Sequence, residues 1–567
     1  MKRYIDGGEA IFAACRALNI EYVFSCPGSE WAPAWEAVVR QKIDNVPGPV
    51  YLDLWHETVA VGMATGYALV TGRPQAVLLH AGPGLLQGTC AIHGALLAGA
   101  PMVVMSSESI TYGERPGQDP GSQWYRNLSI VGGPQALVEN ITKWSNMAPT
   151  VEVLYEMVIR AGEMSMRAPA GPTYLNVPVE VLLTEWTPPK FAKSTAPAGR
   201  KITPSEEIEA LVDRLVAARN PVVLTETAGR DAEGFNALTE LCDLLALPVI
   251  EPQSAVCANF PRTHPMHQGA VADAFTATTD LVLLVNCRAP WYPPSNKPAN
   301  AATVVIDDVP QRPHVVYQAL FADAYLEGEV ADTLRQVTAV LKQRGFDKKL
   351  VEERRARLTA SHKSQLVKMQ EAETMAAASS GPIDPVLLVK ELREQLGAEA
   401  VFVDESITHS RLVQGHLMID QPERYYYVQG GLGQGIAVAL GVKLASGNRP
   451  VVLTLGDGTY LYNPVVTSLA ASKDYKLPLL IVIFNNKQYL SMKFNHLRAY
   501  PDGAAVTHKN FPGTDLSTQP DLARFAEPFD MFSATISDVA SLSGTVRAAV
   551  EAIRQGRTAV LNVMVTK

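Results

Sequence analysis

Asp457 stands between two glycines in LTLGDGTYLYNP, and one helix and one strand further on the chain reads LLIVIFNNKQYLSMK. A strand ending in Gly456-Asp457-Gly458 delivers a carboxylate to the C-terminal edge of a parallel sheet, where open α/β sheets bind ligands. Two glycines permit the tight turn and let the backbone approach a phosphate. The next strand ends in Asn485-Asn486, which adds an amide oxygen at the same edge. One carboxylate, one amide oxygen and one main-chain carbonyl suit Mg²⁺, whose octahedron phosphate oxygens and water would complete. A lone GDG is common in turns; GDG followed at this interval by NN is far more selective.

Other polar residues fall at strand ends. Glu57, in LWHETVAVGMATGYALVTG, follows a buried strand and opens an apolar helix. Taken alone it reads equally well as a helix-start carboxylate favoured by the macrodipole. Ser29 lies in CPGSEW, His80 in LLHAGPG, His264 in FPRTHPMHQG, and Glu405-Ser406 in VDESITHS. An imidazole at such an edge can donate a proton or orient a carboxylate; the alternative is a structural histidine hydrogen-bonded at the sheet edge.

The elements that must position these groups are short apolar runs alternating with helical stretches, the pattern of parallel α/β sheets. EYVFSCPG, PVYLDLWHE, AVLLHAGPG and MVVMSSES predict strand-turn units in the first third. PVVLTE, PVIEP, LVLLVN and TVVIDD do so in the middle, and AVFVDES, VVLTLGDG, PLLIVIFNN and TAVLNVMV in the last. TPPKFAKSTAPAGRK and AAASSGPIDP read as breaks. The expected organisation is three doubly wound parallel-sheet domains over residues 1–185, 190–350 and 366–567, the first and third related to each other. A chain of 567 residues suits three domains.

A net charge of -8 gives no basic stripe for nucleic acid. No run approaches ~20 uninterrupted apolar residues, so no membrane span is expected. The first helix, broken by Asp6 and Glu9, reads as amphipathic rather than as a signal peptide. The six cysteines are scattered with no C-x-x-C pair, in keeping with a reducing cytoplasm.

The GDG…NN pair resembles the signature of thiamine-diphosphate enzymes, and the H-E-x-x-x-x-x-M-A-x-G-Y-A-x-x-T-G pattern around Glu57 resembles that family's activating segment. The resemblance covers almost the whole chain. It implies that Asp457, Asn486 and the main-chain oxygen of Gln488 ligate Mg²⁺. Gly456, Gly458, Thr459, Tyr489, Glu405, Ser406, Gly431 and Leu432 would contact the cofactor, Leu432 as the bulky residue beneath its bent form. Glu57 would hydrogen-bond the pyrimidine N1′ and favour the imino tautomer that removes the thiazolium C2 proton. In this family the cofactor lies between subunits, so a homodimer is the minimum and a homotetramer is expected.

Within the family, His80, the PGS turn, His264 and VDES resemble benzoylformate decarboxylase. The implied reaction is decarboxylation of a 2-oxo acid to an enamine, which is protonated or joined to a second carbonyl such as an aldehyde. Ser29, His80 and His264 join Glu57 as the catalytic set. Ser491 and Asn495 stand where an apolar and an aromatic residue are expected, which suits a smaller or more polar substrate. The alternatives are an acetolactate synthase-like transferase, a 2-hydroxyacyl-CoA lyase, or a catalytically silent binding subunit. VNCRAPWYPPSNKPANAATVVIDD keeps Arg288 but lacks the acidic residues expected after it, so FAD is not expected.

Overall fold

QAVLL, MVVMS and LIVIFN are apolar throughout or nearly so, the pattern of strands covered on both faces. In a computed structural model of the protein, each is wholly buried in a parallel sheet. The structure describes residues 3–110, 119–126, 128–190, 199–271, 277–312, 315, 318–319 and 321–566.

The first sheet comprises β1 (Tyr22–Cys26), β2 (Val50–Asp53), β3 (Gln75–Leu79), β4 (Met102–Ser106), β5 (Ser145–Met147) and β6 (Pro172–Asn176), ordered 2-1-3-4-6-5. The central sheet comprises β7 (Pro221–Thr225), β8 (Val249–Ile250), β9 (Leu281–Val285), β10 (Ala302–Asp307) and β11 (Ala324–Glu327), ordered 11-10-9-7-8. The third comprises β12 (Val401–Glu405), β13 (Tyr425–Tyr427), β14 (Val451–Gly456), β15 (Leu480–Asn485), β16 (Phe532–Ile536) and β17 (Ala559–Met564), ordered 13-12-14-15-17-16. The first and third sheets share one order, and the α/β class expected from the sequence is the class found. The expected strand runs are strands; β5, β6, β11, β13 and β16 are additional to them.

Five helices matter below: α1 (Gly7–Ala17), α2 (Glu57–Thr71), α3 (Pro83–Ala98), α4 (Gly435–Ser446) and α5 (Leu490–Ala499). Asp6 caps α1 by accepting from Gly8 N. The helix Lys348–Ala377 runs unbroken through residue 366, and the chain leaves helical conformation only within AAASSGPIDP. Most of TPPKFAKSTAPAGRK lies outside the described residues.

The chain packs as two compact bodies. One holds the first sheet with Val428–Asn448 and Leu461–Leu479; the other holds the central and third sheets. In the first body α2 and α4 are buried along most of their lengths and cross closely. A Cβ at Gly66 would stand 2.0 Å from the Val438 carbonyl oxygen, so only glycine allows that approach. Among the described residues no helix is long and apolar enough to cross a membrane.

Candidate active site

Glu57 is the first residue of α2, and the preceding residue, His56, caps the helix by accepting from Thr58 N through Nδ1 (3.1 Å). Glu57 is half-buried, and its carboxylate accepts from the Cys26 thiol at the end of β1. Burial, then the Glu57 charge and that hydrogen bond, push the Cys26 thiol up to about 12, so it remains protonated.

His80 follows β3 directly, and its backbone N donates to the Cys26 carbonyl (3.0 Å). Its Nδ1 lies 2.8 and 3.1 Å from the two carboxylate oxygens of Glu30, which also accepts from Ala81 N (2.9 Å). The hydrogen bond to Glu30 raises the His80 pKa; burial opposes this, and the Glu30 and Glu57 charges add to it. A carboxylate only accepts, so Nδ1 carries hydrogen and Nε2 is left as the working nitrogen. Gly28 makes room for the pair, since a Cβ there would fall 1.8 Å from His80 Nδ1.

Ser29 opens the one-turn helix Ser29–Trp31 and is exposed, whereas its neighbour Glu30 is buried. Gly431 and Leu432 lie in the same body as Glu57, in the loop leading into α4; Gly431 takes a φ of 116° and Leu432 is half-buried.

The second group forms at the carboxyl edge of the third sheet. Gly456 pairs with Phe484, which brings Asp457 level with Asn485 and Asn486. Asp457 is 2% exposed; Oδ1 accepts from Gly458 N (2.8 Å) and Oδ2 lies 3.4 Å from Gln519 Nε2. Burial raises its pKa, against hydrogen bonds from Gly458, Gln519, Lys487 and Gln488. Lys487 adopts the left-handed region (φ 57°), so the chain turns sharply after the asparagines. Asn486 Oδ1 accepts from Gln488 N (2.9 Å), and Tyr489 packs its ring over Gly458, where a Cβ would meet it at 2.2 Å.

Glu405 ends β12, and Ser406 is held by the buried Asp404, to which it donates through both its N (2.9 Å) and its Oγ (2.5 Å). Tyr425 OH and Thr454 Oγ1 also donate to Asp404 (2.7 and 2.9 Å), fixing this corner of the sheet. Thr459 is buried beside the GDG turn.

His264 joins neither group. It packs edge-on against Phe260, accepts from Met266 N (3.1 Å) and lies 3.5 Å from Asp243, all within the central domain.

The second group suits a hard cation bound to a diphosphate. Asp457 is a buried carboxylate whose side-chain partner is an amide, Asn486 and Gln488 supply oxygen, and Gln519 Oε1 is buried with no partner. Among the described residues no three His, Cys, Asp or Glu cluster to hold a metal another way.

Three family models match in order: the thiamine pyrophosphate enzyme N-terminal domain over residues 5–128, the central domain over 208–337 and the C-terminal domain over 407–563. The chain belongs to the thiamine pyrophosphate enzyme family. It is 28% identical over 527 residues to benzoylformate decarboxylase of Pseudomonas aeruginosa, covering 89% of this chain and 90% of that one. It is 24% identical to acetolactate synthase isozyme 3 large subunit of Escherichia coli, covering 99% and 95%. The crystal structure of benzoylformate decarboxylase from Polynucleobacter necessarius has the same fold, with a TM-score of 0.80 at 21% identity over 100% of this chain and 99% of that one.

Four residues of these groups escaped the sequence reading: Glu30, Cys26, Asp404 and Gln519. Glu30 carried a signal, an acid set directly before a tryptophan in a strand-end turn. Gln519 lies in an ordinary polar loop and carried none.

Proposed function

We propose that the protein is a thiamine-diphosphate- and Mg²⁺-dependent enzyme that decarboxylates a 2-oxo acid and either protonates the product or joins it to a second carbonyl compound such as an aldehyde. The observation that carries this reading is the Glu30-held His80 in the same group as Glu57: a proton-transferring imidazole beside the carboxylate assigned to cofactor activation.

When bound, thiamine diphosphate supplies the electron sink that accepts the pair released as CO₂ leaves. Asp457, Asn486 and the Gln488 carbonyl would hold Mg²⁺ with the diphosphate, and Gly456, Gly458, Thr459 and Tyr489 would lie beside it. Glu405 and Ser406 lie at the same edge, and Gly431 and Leu432 support the cofactor. Glu57 hydrogen-bonds the pyrimidine nitrogen. His80 delivers or takes a proton at Nε2, while Glu30 keeps the other nitrogen occupied. The same family reading assigns the two groups to different subunits of one site, so the working assembly is a homodimer or a homotetramer, placed in the cytoplasm. Ser29 stays a candidate as the exposed residue directly before Glu30, whereas the neighbours of His264 are explained by packing alone. Arg288, where a flavin contact would be sought, lies 4.0 Å from Glu226, and we assign no FAD.

A panel of 2-oxo acids, with and without an acceptor aldehyde, read by CO₂ release and product identity, tests the reaction. Glu57→Gln should slow exchange of the cofactor C2 proton by at least ~10²-fold while calorimetry still detects cofactor binding. An exchange rate equal to wild type would overturn the assignment of Glu57.

A further inference from the structure

A groove of about 870 Å³ lies in the second body, walled by residues that directly follow the diphosphate-edge residues. Ile407 and Thr408 come immediately after Ser406, and α5 begins immediately after Tyr489. Ser491, Asn495 and Arg498 line it from α5, and their i, i+4, i+7 spacing forms one stripe. Seven residues of helix rise make that stripe about 10 Å long. Trp291 and Tyr292 of the central domain form part of the facing wall.

The groove's charge is one-sided. Among the described residues its lining includes Arg411 and Arg498 and no aspartate, glutamate or lysine. Arg498 donates to Tyr292 OH (2.5 Å) and Arg411 donates to Gln253 Oε1, both neutral acceptors. Each guanidinium carries five donors in a planar fork, a geometry that matches a carboxylate.

We propose that this groove receives the tail of the substrate, and that the substrate is a 2-oxo acid bearing a second carboxylate at its far end. This rests on the function proposed above and specifies its substrate class. The reacting end lies at the sheet edge, the apolar spacer runs along the Trp291 and Phe494 walls, and the distal carboxylate meets the arginines. The length of the stripe calls for a spacer of several carbons. Ser491 and Asn495 leave the floor polar, which suits such a ligand better than a phenyl ring.

The test compares the magnesium- and cofactor-loaded enzyme on 2-oxoglutarate, 2-oxoadipate and 2-oxopimelate against 2-oxohexanoate and benzoylformate. At least one dicarboxylate should exceed 2-oxohexanoate in kcat/KM by tenfold or more, chiefly through KM. Arg411→Gln and Arg498→Gln should each cut that ratio at least tenfold. Equal or better turnover of the monocarboxylates, or a ratio that survives both substitutions, overturns the proposal. Calorimetric binding of the unreactive adipate and pimelate to the full-length protein is the second arm, with the same two variants. If no 2-oxo acid at all is turned over, the proposed function falls, while this arm still decides the groove. Dicarboxylate binding weakened by both substitutions supports it, and no binding, or binding that ignores them, overturns it.

Discussion

Replacing Glu30 with glutamine keeps the shape of the side chain that holds His80 and removes its charge. In the wild-type protein Glu30 Oε1 both accepts from Ala81 N at 2.9 Å and lies 2.8 Å from His80 Nδ1. Glutamine can keep both contacts through an oxygen at the Oε1 position, but it carries no charge, and its NH₂ takes the place of Oε2, 3.1 Å from Nδ1. The imidazolium then loses the charged partner that chiefly raised its pKa. Loss of one charge-assisted hydrogen bond, about 1.5–3 kcal/mol, corresponds to about a 10- to 150-fold slowing of a step that needs the imidazolium. Because the folded His80 pKa lies above its ordinary 6.5, the stability it contributes is complete below that value and fades as pH rises through the folded one. The stability gap between wild type and Glu30→Gln should therefore be widest below pH 6.5 and narrow on the alkaline side. Nuclear magnetic resonance titration of the His80 ring, assigned with a His80→Gln control, reads the shift directly, and the pH profile of product release reads its consequence. A ring that titrates at the same midpoint in both proteins would refute the reasoning.

Asp457→Asn should raise the melting temperature of the cofactor-free protein at neutral pH while weakening Mg²⁺-dependent cofactor binding at least tenfold by calorimetry. Burial holds the wild-type carboxyl above its ordinary 3.8, so the charged form costs stability increasingly as pH climbs from that value through the folded one; a lower melting temperature would contradict this. Gly66→Ala should destabilise the first body by about 1–3 kcal/mol, measured by urea denaturation. Its new Cβ would meet Val438 O at 2.0 Å and Val442 N at 2.8 Å, both backbone atoms that cannot turn aside. Glu251→Ala should cost about 3–5 kcal/mol at neutral pH, because it strips the buried Arg262 of its partner at 2.9 Å. Burial pushes the Glu251 carboxyl up, but Arg262 and His267 outweigh it and hold it at about 2, so the loss, read by urea denaturation across a pH series, should shrink as pH falls from 4.5 toward 2.

The parallel sheets were legible because strands covered on both faces leave an apolar run that needs no partner to be seen: QAVLL, LVLLV and LIVIFN announce themselves. β13 is only three residues, Tyr-Tyr-Tyr before a glycine-rich loop, with its outer side bridged to Cys257, and β16 is a half-exposed FSATI at the other edge of the sheet, so neither offers a long apolar run. The GDG turn and its asparagines were legible for another reason, that both sit at ends of adjacent strands and keep a fixed interval. Glu30 was not, although it stands one residue from Ser29. Its role depends on β1 pairing with β3, which brings His80 over it from fifty positions away, a contact that local sequence does not encode.

Polar surroundings, more than the anchoring residues, set what this chain can do. A buried Asp457 faced by amides rather than by a lysine or arginine keeps its full charge for a cation, and the amides are themselves held: Gln519 donates to Asn485 Oδ1 (2.7 Å), Asn485 to Asn562 (2.8 Å) and Asn562 to Asp521 (3.0 Å). At His80 the opposite choice is made, a carboxylate placed directly against the imidazole so that one nitrogen is committed and the other works. In the groove beside the sheet edge the arginines donate to neutral acceptors. The arginines stand exposed, whereas Asp457 is buried, and in its low-dielectric setting an unpaired carboxylate is costly until a cation meets it.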